Sequence, residues 1–209
     1  GINHDDYILS PALTCFATST SILINNYNIK WIDSDLQTGN MSITDIENKL
    51  SDKTKVIILV HWGGNPVDLD KLSHILDNHE KKYNFRPIII EDCAHAFGAK
   101  YNNKYLGNHG NICVFSFQAI KHLTTGDGGM IILPNRQLYD RAKLLRWYGI
   151  DRNKRNYNYK DFRLENNIIE FGYKFHMNDI NATIGLSNLQ FVANNLLIAQ
   201  NNADFFYNN

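Results

Sequence analysis

The sequence lacks the features that mark nucleic-acid-binding, membrane or secreted proteins. Its 21 basic and 21 acidic side chains balance, so no net charge draws it to nucleic acid or to an acidic membrane surface. Its longer apolar runs, such as residues 56–60 and 88–90, are far too short to span a bilayer. No basic segment precedes an apolar stretch at the N-terminus, as it would in a signal peptide. We therefore expect neither nucleic acid nor a membrane as a partner.

Cysteine and proline are also scarce. The three cysteines, Cys15, Cys93 and Cys113, are odd in number, lack Cys-x-x-Cys spacing and lie in apolar runs. We expect them to be small core residues in a reducing compartment, which makes the cytoplasm the predicted location. No proline- or glycine-rich linker marks a domain boundary. A hydrophobic content of 44% indicates a soluble globular chain with one substantial core.

Short β-branched runs alternate with longer helical patterns from about Ile29 onward. Strands are predicted at residues 29–33, 55–60, 87–91, 112–116 and 129–133, and helices at 44–50, 69–82, 136–147 and 177–203. This alternation is typical of a doubly wound α/β fold with a mostly parallel sheet. The run at 56–60 is apolar at every position, as expected for a strand covered by helices on both faces. A polar stretch from 150 to about 168 is predicted to be a long surface loop.

Reactive side chains follow two of these predicted strands. Asp92 ends one strand, Ser116 ends the next, and Lys121 lies five residues further on in a loop. The carboxyl ends of parallel strands meet at one edge of the sheet, where open α/β proteins bind their ligands. An amine, a carboxylate and a hydroxyl suit an aldehyde cofactor that has a ring nitrogen and a phosphate. Each residue alone also has an ordinary interpretation, because loop lysines are commonly solvated and strand-end aspartates commonly cap helices.

Longer motifs in this region resemble the DegT/DnrJ/EryC1/StrS family of sugar aminotransferases, a branch of the fold type I enzymes that use pyridoxal phosphate (PLP). The motifs are Glu-Asp-Cys-Ala-His-Ala-Phe-Gly-Ala at 91–99, Phe-Ser-Phe at 115–117, Lys121, and Thr-Thr-Gly-Asp-Gly-Gly at 124–129. The family pattern is E-D-A-A-H/Q-x-x-G followed by F-S-F-x-x-x-K-x-I/L-T-x-G-E-G-G. Further similarity runs from residues 13–18 to 172–182 and so covers nearly the whole chain.

The resemblance implies the PLP-dependent transferase fold type I large domain, a mostly parallel sheet sandwiched by helices. It further implies that residues 1–209 are the central part of this PLP-binding domain. The N-terminal segment and the small C-terminal domain of the family are then expected to be absent from this chain.

The resemblance also implies a role for each matching residue. Lys121 matches the lysine that binds the cofactor covalently, Asp92 the partner of the ring nitrogen, and His95 the residue beside the ring near its phenolic oxygen. Ser116 matches a phosphate ligand, and Phe16 the aromatic side chain that stacks on the ring. Lysine at position 121 favours amino transfer, because related enzymes with histidine there are deoxysugar dehydratases.

Three positions depart from the commonest family residues, and two of them, Lys174 and His176, lie in the segment that the resemblance places at a dimer contact. In the family, the segment matching 172–177 reaches the other subunit's active site, commonly with an asparagine for the phosphate. Lys174 stands there, as in some members that aminate C4, and can serve a phosphate as a point charge. His176 replaces the usual arginine or asparagine, and Asp127 replaces glutamate with its charge kept.

The implied function is a PLP-dependent transamination. An amino acid, expected to be glutamate, would donate its amino group to a keto group of a nucleotide-linked deoxysugar or pentose, with C4 favoured. C3 amination and an inosose substrate stay open, and the basic run at 152–155 is either a contact for the sugar nucleotide or a solvated face. The alternative is a non-catalytic binding or partner subunit, or an inactive fragment, of the same family.

Overall fold

The computed structural model describes residues 1–151, 168 and 170–208, and a six-stranded sheet lies at its centre. Its strands are β1 (Tyr7–Pro11), β2 (Asn28–Ile32), β3 (Thr54–Val60), β4 (Ile88–Asp92), β7 (Ile112–Ser116) and β8 (Gly129–Ile132), in the spatial order β2-β1-β3-β4-β7-β8. The first five run parallel, and β8 is antiparallel to β7. The predicted α/β fold with a mostly parallel sheet is confirmed.

The helices are α1 (Phe16–Leu23), α2 (Ile43–Lys49), α3 (Leu69–Tyr83), α4 (Arg136–Leu145), α5 (Asp179–Leu189) and α6 (Val192–Asn208). Four begin at a side chain that accepts a backbone N–H of the first turn, namely Ser42, Asp68, Asn135 and Asn178. Such caps satisfy amide groups that the helix leaves unbonded. A short hairpin of β5 (Lys100–Tyr101) and β6 (Lys104–Tyr105) follows β4. Every described helix is too short or too polar to cross a lipid bilayer.

Strand β3 is buried on both faces, as its unbroken apolar run predicts. Ile57 and Leu59 belong to the main hydrophobic core, which includes residues of α3. Val56 and Ile58 face the other side of the sheet and pack in a smaller cluster with Ile22 of α1. Helices therefore cover the sheet from both sides.

Several elements differ from the sequence-based prediction. Strand β1 and helix α1 were not predicted. In β1, the three apolar residues that precede Ser10 and Pro11 are too few to establish a period. The single helix expected at 177–203 is two helices. The Phe191 N–H bonds to the Asn188 carbonyl, which tightens the chain at 190–191 and allows Val192 to become buried. Residues 152–155, and most of the predicted loop, lie outside the described residues.

The order of the strands defines where a ligand can bind. From β1 the chain moves outward to β2, then crosses to the opposite side of β1 for β3, β4 and β7. The connections that leave the carboxyl ends of β1 and β3 therefore diverge. In open α/β sheets such a divergence opens a crevice at the carboxyl edge.

Candidate active site

A cavity of about 720 Å³ lies at this carboxyl edge. Its wall includes residues at or just beyond the carboxyl ends of β1, β3, β4 and β7. Four of the predicted site residues are among them, namely Asp92, His95, Ser116 and Lys121. The volume falls in the range of small-molecule sites, about 300–1,000 Å³. The fold thus brings these four side chains to one cavity, although up to 29 positions separate them in sequence.

Asp92 is held at both carboxylate oxygens. The Ala94 N–H donates to Oδ1 over 3.0 Å, and the Thr18 hydroxyl donates to Oδ2 over 2.8 Å. The carbonyl of Asp92 also accepts the His61 N–H over 3.1 Å, which ties the end of β4 to the end of β3. The carboxylate is therefore fixed in place at the cavity wall.

A second, fully buried carboxylate lies next to Asp92 in sequence. Glu91 accepts from His61 Nε2 over 2.9 Å and from Asn111 Nδ2 over 2.6 Å. The Val67 N–H donates to His61 Nδ1, so that nitrogen carries no proton and Nε2 carries the one donated to Glu91. Burial opposes ionisation, but the hydrogen bonds from His61 and Asn111 outweigh it and hold the pKa of Glu91 below its ordinary value.

This buried pair, with Cys93, also has the ligand atoms for a metal within 4.8 Å of one another. The His61 and Glu91 atoms already satisfy each other by hydrogen bonding. The hydrogen bond with Cys113, then burial, then the nearby charges of Glu91 and Asp92 raise the pKa of the Cys93 thiol far above its ordinary value. This opposes the thiolate that a metal needs. We therefore assign the cluster a structural role that supports the ends of β3 and β4.

His95 packs edge-on against the indole of Trp62, with ring centroids 5.4 Å apart. Burial lowers the pKa of His95 below the ordinary 6.5, the positive charge of Lys121 and then that of His122 lower it further, and Asp92 opposes them. The imidazole is therefore neutral at pH 7, where it can donate one hydrogen bond and accept another.

Because the pKa of His95 is lowered on folding, protonation at acidic pH favours the unfolded chain. We expect stability to be fully present above about pH 6.5 and to decline as the pH falls through the lowered pKa. The measurement is urea unfolding at a series of pH values for the wild type and His95→Gln. The variant should lose part of the decline between pH 6.5 and 5, and identical pH profiles would contradict the assignment of a neutral, partly buried His95.

The loop that carries Lys121 is fixed at both of its ends. The Phe117 N–H donates to the Gly128 carbonyl over 2.8 Å, and the Thr125 N–H donates to the Phe117 carbonyl over 2.9 Å. A Cβ on Gly129 would lie 2.8 Å from the Phe115 carbonyl oxygen, so only glycine permits this approach of β8 to β7. Among the described residues, no hydrogen bond or ion pair engages the Lys121 ammonium, which faces the cavity.

Helix α5 holds this loop from outside. Asn181 Nδ2 donates to the carbonyls of Thr125 and Asp127, over 2.7 and 3.0 Å, and Asn188 Nδ2 donates to the Thr124 carbonyl over 3.1 Å. Sequence reasoning did not assign these asparagines to the site. The only signal was the position of Asn181 in the family-like segment 172–182.

Two predicted site residues lie elsewhere. Phe16 is the first residue of α1 and is 71% exposed, and the cavity is lined instead by Thr14, Cys15 and Ala17. Cys15 is therefore exposed at the cavity, which corrects its predicted place in the core; Cys93 and Cys113 are buried and free as predicted. Lys174 bridges to Trp147 outside the cavity, with its Nζ 5.2 Å from the indole centroid.

The parallel sheet, with a lysine loop and a carboxylate at its carboxyl edge, defines a fold type I PLP-dependent transferase domain. The chain belongs to the DegT/DnrJ/EryC1/StrS aminotransferase family, whose model matches residues 1–208. This confirms the predicted family, and PLP is the cofactor of that family, as predicted.

Relatives of this chain include proteins that act on sugars. It is 35% identical over 190 residues to GDP-perosamine synthase of Escherichia coli O157:H7, covering 91% of this chain and 48% of that protein. Among solved structures, AtS13 from Actinomadura melliaura matches with a TM-score of 0.90 and 48% identity, covering 98% of this chain and 54% of that one. The sugar aminotransferase CalS13 from Micromonospora echinospora matches with a TM-score of 0.83 and 43% identity, covering 92% and 51%. The chain thus spans about half the length of these relatives.

Proposed function

We propose that the protein is a PLP-dependent aminotransferase that moves an amino group from an amino acid to a keto group of a nucleotide-linked sugar. The observation that carries this proposal is the convergence of Lys121, Asp92, His95 and Ser116 on one cavity. Family membership and the similarity to GDP-perosamine synthase and CalS13 support it.

The side chains in the cavity fit PLP by their chemistry. Lys121 offers an amine for the aldehyde, and Asp92 offers a carboxylate for the ring nitrogen. Ser116 offers a hydroxyl for the phosphate, and His95 offers a neutral imidazole for the phenolic oxygen of the ring. When bound, PLP supplies an aldehyde that accepts the amino group and a ring that withdraws electrons from the reacting carbon. In this proposal Phe16 has no stacking role in its own chain, because the side chain points away from the cavity wall.

Lys121 is then also the proton carrier of the reaction. Its Nζ would take the proton from the α-carbon of the donor amino acid and deliver it to the cofactor carbon that carried the aldehyde, because Lys121 lines the cavity within reach of both carbons. The two oxygens of Asp92 are held by Thr18 and Ala94, so the charge opposite the ring nitrogen stays in one place. Fixed charge of this kind stabilises a developing charge without reorganisation during the reaction.

We infer glutamate as the donor and C4 of a 4-keto-deoxysugar or 4-keto-pentose as the acceptor. The position of Lys174 in its Gly-Tyr-Lys segment supports C4, through the resemblance to C4-aminating members. We further propose a homodimer in which Lys174 serves the partner subunit's site. Its neighbours Tyr173 and Phe175 stack 4.9 Å apart, and Phe175 is 74% exposed, as expected for side chains that a second subunit would cover.

The test is incubation of the full-length protein with PLP, 15N-labelled glutamate and a set of nucleotide-linked 4-keto and 3-keto sugars, with products read by mass spectrometry. The proposal expects a 15N-labelled amino sugar, and position-specific NMR would identify the carbon. Transfer to none of the sugars, with PLP bound, would contradict the sugar acceptor. A folded protein that binds no PLP would favour the alternative of a non-catalytic subunit.

Ser116→Ala should weaken PLP binding by about tenfold, because one hydroxyl donor to a charged group contributes about 1.5–3 kcal/mol, partly offset by water in an open cavity. Affinity for pyridoxal, which has no phosphate, should be unchanged. Absorbance titration with both aldehydes measures this difference. The matched control is Ser73→Ala on α3, outside the cavity, and an equal loss for both aldehydes would contradict a phosphate role.

A further inference from the structure

Two threonine hydroxyls form a chain of hydrogen bonds that ends on Asp92. Thr18 Oγ1 lies 2.8 Å from Asp92 Oδ2, and Thr14 Oγ1 lies 2.8 Å from Thr18 Oγ1. All three residues line the cavity, and Thr18 is only 6% exposed. This series of hydrogen bonds therefore runs from the cavity wall to Thr18, which is buried in the first turn of α1.

The direction of donation in this chain is fixed by chemistry. An ionised carboxylate only accepts, so the single hydroxyl hydrogen of Thr18 points to Asp92. Thr18 can then only accept from Thr14, and the Thr14 hydroxyl is the donor. Donation from Thr14 polarises the Thr18 hydroxyl and strengthens its bond to the carboxylate.

The other oxygen of Asp92 has its own fixed donor, the Ala94 N–H. With one donor on each oxygen, rotation of the carboxylate about its bond to Cβ breaks at least one hydrogen bond. The Ala94 donor is backbone of the same loop, whereas Thr18 comes from a different element, α1, 74 positions away. Thr18 is therefore the contact that fixes the Asp92 carboxylate relative to α1.

We propose that Thr18, supported by Thr14, is a positioning residue that fixes Asp92 for the ring nitrogen of the cofactor. This inference rests on the proposed function, and it assigns to both threonines a role that acts through Asp92. A supporting residue of this kind keeps a reactive group within a few tenths of an ångström of its working position. Its loss weakens the interaction with the ring nitrogen and leaves the phosphate and aldehyde contacts intact.

The experiment compares two aldehydes on the full-length protein: PLP, and its carbocyclic analogue in which a C–H group replaces the ring nitrogen. Thr18→Val keeps the shape and removes the hydroxyl, and it should weaken PLP binding about tenfold, by loss of one hydrogen bond to a charged group. Affinity for the analogue should stay within about twofold of wild type, because no ring nitrogen is there to meet Asp92. Thr18→Ser restores the hydroxyl and should restore PLP affinity.

The matched control is Thr20→Val on the same helix, whose hydroxyl donates to the Phe16 carbonyl and does not reach Asp92. It should leave the affinity for both aldehydes unchanged. Thermal unfolding of each apo variant separates loss of fold from loss of positioning. If Thr18→Val does not fold, Thr14→Val tests the same chain from its outer end, with an expected loss of about threefold for PLP alone, because its effect is indirect.

An unchanged PLP affinity in a folded Thr18→Val variant, or an equal loss for both aldehydes, would overturn the positioning role. Either result would leave the proposed function standing, since wild type would still bind PLP at Lys121. Failure of wild type to bind PLP would instead refute the proposed function and with it this inference.

Discussion

Lys121→Ala should abolish the covalent link between PLP and the protein and lower amino transfer by about 10²–10⁴-fold, the range for removing a positioned proton carrier. The reason is geometric, because Lys121 is the amine that the fold places in the cavity with Asp92 and His95. The measurement is borohydride reduction with PLP followed by peptide mass spectrometry. Wild type should carry a pyridoxyl group on the peptide that contains Lys121, and the variant should carry none.

The matched control is Lys104→Ala, which removes an exposed lysine of the β5–β6 hairpin. It should keep both the adduct and the activity of wild type. An adduct spread over several lysines in wild type would show only the ordinary reactivity of surface amines. Retention of full activity by Lys121→Ala would refute the assignment of this lysine.

A large loss of stability is expected when the buried His61–Glu91 pair next to the cavity is broken. His61→Ala should destabilise the protein by about 3–5 kcal/mol, because it leaves the buried Glu91 carboxylate without one of its two donors. Urea unfolding at pH 7 measures this loss. His61→Gln keeps a donor and should lose less, and His74→Ala, an exposed histidine on α3, should change stability by less than about 0.5 kcal/mol.

The His61–Glu91 pair also makes the stability of the protein depend on acidic pH. Because the pKa of Glu91 is lowered in the folded state, its hydrogen bonds contribute stability above its ordinary pKa of 4.5, and this contribution is lost as the pH falls through the lowered value. His61→Ala removes one cause of that lowering. The variant should therefore be closest to wild type at the lowest pH at which both still fold. A stability loss that stays as large below pH 4.5 as it is at pH 7 would contradict the ionised state of Glu91.

Sequence reasoning succeeded where a pattern repeats or where motif residues follow a strand. Strand β3 was recognisable because all its positions are apolar, and the places of Asp92, Ser116 and Lys121 follow from the carboxyl ends of β4 and β7. Strand β1 was not predicted from the sequence, although it lies inside the sheet between β2 and β3. Five residues ending in proline carry too little periodicity, and their burial depends on partners 20 to 50 positions away.

The difference between Phe16 and Cys15 has a local cause. Successive residues at the start of a helix point about 100° apart, so a shift of one position moves a side chain from the cavity to solvent. Resemblance identifies the segment but not which residue of it faces the cavity. Thr18 was not predicted as a site residue, because its role depends on a hydrogen bond to Asp92, which is distant in sequence.

The asparagine contacts from α5 to the lysine loop have a consequence for biosynthesis. These bonds join residues 54 to 64 positions apart, so a chain leaving the ribosome can complete β7 and β8 well before Asn181 and Asn188 are available. Domains commonly begin to fold in this directional way during synthesis. The sheet can thus form before the loop with Lys121 is held in place, and the reactive amine is set in its final position only once α5 has docked.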